Sequence, residues 1–188
     1  MKKVNPTMRK EMVNTGKAIL VSIRPEWCAK IARGEKTIEV RKTRPVLNTP
    51  FKCYVYCTKA HYSDKSANNE AQLPADFYGK IIGEFICDYV VRDSLLDQDT
   101  TFYACACLTK ADVLAYCPNG FLFGWHISDL KIYNKPKKLT EFCRPHIAKC
   151  ALAKKCSDES QSITRLIRPP QSWCYVDELM DGKEYRKQ

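Results

Sequence analysis

Gly34-Glu35-Lys36-Thr37-Ile38-Glu39-Val40-Arg41 turns a helix into a strand and sets ionisable side chains along that strand. Just upstream, Arg24-Pro25-Glu26-Trp27-Cys28-Ala29-Lys30-Ile31-Ala32-Arg33 predicts a short helix, with Pro25 in its first turn, Trp27 and Ile31 on one stripe and Gly34 as the stop. Strand alternation then points Lys36, Ile38 and Val40 one way and Thr37, Glu39 and Arg41 the other. A twist or bulge at the strand start would turn Lys36 toward Glu39. The bland alternative is an edge strand whose charges are solvated.

Working outward, Ala18-Ile19-Leu20-Val21-Ser22-Ile23 predicts a buried strand before the helix. Phe51 to Thr58 alternates as a half-buried strand with Tyr54 and Tyr56 on one face, and a polar excursion over 59–78 leads to a long strand from Lys80 to Arg92. Thr109 is a candidate N-cap for a helix through Tyr116, with Asp112 three residues on closing a capping box. Strands are expected again from Phe123 to Tyr133 and from Trp173 to Val176. Many short strands with two short helices give an α+β class of barrel-like form. One domain over 17–180 is expected, with a Cys-rich basic insertion at about 140–166, a mobile segment at 1–16 and a tail at 181–188.

The 188 residues are 45% hydrophobic, yet no apolar run reaches membrane-spanning length and the start is polar, so a cytoplasmic protein without membrane contact is expected. Eleven cysteines, an odd count with Cys53, Cys57 and Cys87 inside apolar strands, read as reduced core fillers. The net charge of +10 is uneven. Residues 24–44 hold seven Lys/Arg against three acids and residues 131–155 hold eight against one, while 63–101 hold eight acids against three bases. Two basic segments around one groove would attract phosphates, so RNA or a nucleotide is the expected partner, bound in a salt-sensitive way.

Glu84 lies on the central strand between Ile82 and Ile86, opposite a face carrying Ile81, Gly83, Phe85 and Cys87. A carboxylate in such a setting needs a cation, and Lys36 or Arg41 would supply one. If the site is catalytic, Lys36 would serve as acid or base, Glu39 and Glu84 would orient water or take a proton, and Arg24 and Arg41 would hold a phosphate or base carbonyl. Trp27, Tyr54 and Trp125 would form a stacking wall for a base. His61 and His126 show no evident partner in sequence. Cys143, His146, Cys150 and Cys156 have a Cys-x2-His-x3-Cys-x5-Cys spacing that suits a structural zinc, although the same residues also fit a helix packed by small thiols.

The run Ile23 to Trp27 followed by Gly34 to Arg41 resembles the ASCH-domain signature, a Gly-x-Lys-x-x-Glu-x-Arg after a short helix. Gly79-Lys80-Ile81-Ile82-Gly83-Glu84-Phe85, Gly124-Trp125-His126-Ile127 and Pro169 to Val176 fit in order, so the resemblance spans roughly residues 18–178. It implies a PUA-like mixed β-barrel with short flanking helices, in a superfamily used for RNA binding and for processing RNA or modified nucleosides. In the related acetylcytidine amidohydrolases a Lys, a Thr three residues later and a central-strand Glu act together. Lys36 and Glu84 match two of these, while Glu39 stands in place of the hydroxyl and Thr37 falls two residues short. An RNA- or nucleotide-binding domain with a charged pocket is therefore the first expectation. A hydrolase of modified nucleosides or a ribonuclease using that pocket is the second, and a protein-binding adaptor the third.

Overall fold

The structure is a computed structural model that describes residues 16–59, 73–93, 100–118, 122–145 and 164–179. Its eight strands are β1 (Lys17–Ile23), β2 (Ile38–Arg41), β3 (Phe51–Cys57), β4 (Ile81–Cys87), β5 (Val90–Asp93), β6 (Leu122–His126), β7 (Ser128–Lys137) and β8 (Trp173–Asp177). The helices are α1 (Pro25–Ala32), α2 (Thr100–Ala106) and α3 (Lys110–Tyr116). A five-stranded sheet runs β7-β4-β3-β1-β8 and a three-stranded sheet runs β2-β6-β5. Within the first, β1 and β3 are parallel and the other pairs antiparallel. This is a mixed α+β fold in which, among the described residues, neither sheet closes into a barrel. No helix among them is long and apolar enough to cross a membrane.

The two long strands expected from sequence each divide in two. The run from Lys80 to Arg92 breaks at Asp88 and Tyr89, so that β4 stays in the large sheet while β5 joins the small one. Likewise Ile127 separates β6 from β7, and the two breaks meet where His126 N–H donates to the Tyr89 carbonyl at 3.2 Å. The small sheet folds over the large one, and Ile19, Val21, Val55, Phe85 and Trp125 pack with Cys28 and Ile31 of α1 in the main core. On the far face of the large sheet, Leu20, Tyr54, Tyr56 and Ile81 pack against Phe142 and Leu166. Apolar contact on both faces stabilises β3, whose side chains are nearly all buried.

α1 ends as its sequence suggests, with Gly34 at φ +74° and its N–H donating to the Ile31 carbonyl. α3 has the full capping box between Thr109 and Asp112. α2 was not evident from sequence, because Thr100-Thr101-Phe102-Tyr103 contains no strong helix former. Tertiary packing holds it: Phe102 and Ala106 are buried with Ile38, Val40, Val113 and Leu122.

Candidate functional site

Lys36, Glu39 and Arg41 form one buried ionic cluster, at 3%, 5% and 7% exposure. The chain leaves α1 through Gly34 and enters β2 only at Ile38, so Lys36 lies outside the pleat and its Nζ reaches Glu39 Oε2 at 3.7 Å. The expected turn of Lys36 toward Glu39 is thus present. The other Glu39 oxygen accepts from Arg41 Nη2 at 2.8 Å. Arg41 also donates to the Ser22 carbonyl at 2.6 Å and, through Nη1, to Ser172 Oγ at 3.3 Å. Two cations share one anion, so the cluster has a net positive charge in a low-dielectric interior.

α2 completes this arrangement. Lys36 Nζ donates to the Ala106 carbonyl at 2.7 Å, at the helix end where the macrodipole is negative. Cys107 then turns the chain at φ +54° and its thiol donates to the Glu35 carbonyl at 3.3 Å. A non-glycine residue in that region is conformationally costly, and here it fixes the last carbonyl of α2 on the lysine. The ammonium also sits 5.2 Å from the centre of the Trp27 ring.

Burial pushes the Lys36 ammonium below its ordinary 10.5, with the nearby Glu39 carboxylate opposing the shift. Between that depressed value and 10.5 the unfolded chain keeps the proton that the folded chain releases. Stability from this group therefore rises with pH across that window. Denaturation of wild type and Lys36→Met should show their difference moving in favour of wild type between about pH 7 and pH 10. A flat difference would count against a desolvated Lys36.

Glu84 does not join this cluster. Its carboxylate accepts from the Tyr133 hydroxyl at 2.6 Å and lies 3.8 Å from both Lys52 and Lys131. These groups, with Asp129 and Glu178, line a separate groove of about 500 Å³. The reason is an irregularity in β4. Gly83 pairs with Val55, Ile81 with Tyr56, and the extra residue Ile82 drops into the main core. Glu84 therefore shares a face with Tyr54 and Ile81, on the side of the large sheet away from Lys36, and the expectation that Lys36 and Glu84 face one cavity is corrected.

Among the expected wall residues, Trp125 is fully buried, directly across the strand pair from Glu39, and packs edge-on against Phe51 and Trp173. Trp27 is half-buried beside Lys36, and Arg24 is exposed at the N-cap of α1, two residues from Ser22. Tyr54 belongs to the far face, where it packs on Phe142 and its hydroxyl accepts from the Leu179 N–H at 2.9 Å. His126 does have a partner, since its Nδ1 lies 2.6 Å from Asp88 Oδ1 and Tyr89 stacks on its ring at 4.4 Å. Ser22, Ala106, Tyr116, Ser172 and Trp173 were not singled out from sequence; they come from four elements and one loop, and no local spacing links them. Of the expected zinc ligands, Cys143 is buried and bridges to Arg165 through the backbone, while His146, Cys150 and Cys156 lie outside the described residues. No group of three metal-ligating side chains occurs among the described residues.

Two buried donors have no acceptor among the described residues, Arg41 Nε and Trp125 Nε1. Both belong to residues that adjoin Glu39, one by ion pair and the other by strand pairing. An uncompensated buried N–H is costly, so these two mark where an acceptor-bearing group would gain most.

No family model and no curated protein matches the chain by sequence. Solved structures do. The ASCH protein from Zymomonas mobilis superposes with a TM-score of 0.52 at 15% identity, covering 87% of this chain and 90% of that one. A serine-to-alanine variant of the same protein gives 0.52 and 15%, covering 86% and 89%. Agreement along nearly the whole length at so low an identity is agreement of architecture, and the architecture of this chain is that of an ASCH domain.

Proposed function

We propose that the protein binds RNA or a nucleotide at the Lys36, Glu39 and Arg41 cluster. The observation that carries this reading is the pair of unsatisfied buried donors, Arg41 Nε and Trp125 Nε1, beside a carboxylate that can itself accept. A nucleobase presents ring nitrogens and carbonyls as acceptors next to exocyclic donors, which suits such a set, and its faces suit tryptophan. Trp27 adjoins Lys36, Trp125 adjoins Glu39 and Trp173 packs on Trp125.

Those are the only three tryptophans in the chain, so intrinsic fluorescence reports on this region alone. Titration with ribonucleotides and short single-stranded RNA is expected to give a saturable change. RNA affinity should fall steeply as salt rises. No saturable change with any nucleotide or RNA at low salt would remove the reading.

A hydrolase of modified nucleosides, or a ribonuclease, is the second reading, supported by the burial that depresses Lys36 and so favours its use as a base. With Glu39 at the hydroxyl position and Glu84 on the far face, such an enzyme would activate water rather than a side-chain nucleophile. Turnover of acetylated or otherwise modified nucleosides in the same titrations separates the two.

A further inference from the structure

Tyr116, the last residue of α3, carries a large aromatic ring at 42% exposure. Lys42, the exposed residue that follows Arg41, places its ammonium 4.7 Å from the centre of that ring. Arg41 meanwhile reaches back to the Ser22 carbonyl, at the corner where β1 passes into α1 and Arg24 stands exposed as the N-cap. The Tyr116 phenol titrates above its ordinary 10.0 chiefly through burial, and it senses the charges of Arg41, Glu39 and Arg24, which sets all three around it. Arg24, Lys42 and Tyr116 therefore gather at one mouth above the buried cluster, each from a different element.

The acids nearby do not neutralise this mouth. Glu39 is held between Lys36 and Arg41, Glu35 pairs with Arg33 at 2.6 Å, and Asp112 is used in the capping box of α3. Exposed Glu26, in the first turn of α1, is the remaining carboxylate on the elements that form the mouth. Two exposed cations and a phenolic hydroxyl thus stand over an interior that already has a net positive charge. That combination fits a compact dianion with several acceptor oxygens better than a neutral ligand.

We propose that Arg24, Lys42 and Tyr116 form a phosphate subsite, and that the ligand of this site is a phosphorylated nucleotide rather than a free nucleoside. Lys42 supplies a point charge, Arg24 a fork of donors, and the Tyr116 hydroxyl a single directional hydrogen bond. The subsite rests on the nucleotide-binding reading above and adds to it the residues that would choose between phosphorylated and unphosphorylated forms.

Isothermal titration calorimetry with the four ribonucleosides and their 5′-monophosphates tests it on the full chain. The best-bound base should bind about tenfold or more tighter as the monophosphate, the factor that a single charged hydrogen bond supplies. The double change Arg24→Gln with Lys42→Gln should bring the monophosphate down to nucleoside affinity and leave the nucleoside unaffected. Because both residues are exposed, the variant should keep its far-UV circular dichroism. Tyr116→Phe should remove part of the preference. Equal binding of nucleoside and monophosphate, or a monophosphate preference that survives the double change, would overturn the subsite while leaving base recognition standing. Binding of neither class would overturn both.

Discussion

Glu39→Gln is expected to cost about 3–5 kcal/mol of folding stability, because it strands two buried cations without their shared anion. Lys36→Met should cost less. Glu39 then still compensates Arg41, and the loss is chiefly the hydrogen bond to the Ala106 carbonyl, on the order of 1–3 kcal/mol. A double-mutant cycle between Lys36 and Glu39 should give a coupling of at least about 1 kcal/mol, whereas Lys36 and Glu84 should add to within about 0.5 kcal/mol. Urea denaturation monitored by tryptophan fluorescence measures all of these. A Glu39→Gln protein within about 1 kcal/mol of wild type would mean that the three charges are solvated and the cluster is not a buried one.

Gly124→Ala is the second change expected to be severe. A Cβ there would stand 2.5 Å from Phe102 Cε2 and 2.9 Å from Ile38 Cγ2, both inside the small core that seats α2 on β2. Overpacking of this kind costs about 1–3 kcal/mol. It should also act at a distance. Moving Phe102 moves α2, and with it the Ala106 carbonyl that holds Lys36, so ligand affinity should fall although residue 124 touches no charged group of the site. Phe102→Leu made together with Gly124→Ala should restore part of both losses by making room. If Gly124→Ala binds nucleotide as wild type does, α2 is not what positions Lys36.

Sequence reading located the motif strand, its helix and the Lys36 to Glu39 contact, because Gly34 and the three-residue spacing leave few ways to arrange them. It misplaced Glu84 for an equally physical reason. The central strand is apolar on both sides, so period-two alternation had no polar face to anchor it, and one extra residue at Ile82 reversed the assignment. The divided strands escaped notice because Asp88-Tyr89 and Ile127 contain neither Gly nor Pro to mark the corner. α2 escaped because its stability comes from the glycine-shaped space under Phe102, and a space contributed by another strand leaves no local trace.

The hydrogen bonds of Ser172 have a consequence for the order in which the molecule can mature. Arg41 leans on the Ser172 hydroxyl, and Ser22 N–H donates to the Ser172 carbonyl at 2.9 Å. The strand that follows Ser172, β8, pairs only with β1, some 150 positions earlier in the chain. A growing polypeptide therefore emerges with its charged motif already made but its wall missing, and contacts across so long a separation form late. The interior that holds Lys36, Glu39 and Arg41 is sealed by the last strand to arrive, so competence to hold a ligand becomes a report that synthesis has passed residue 177.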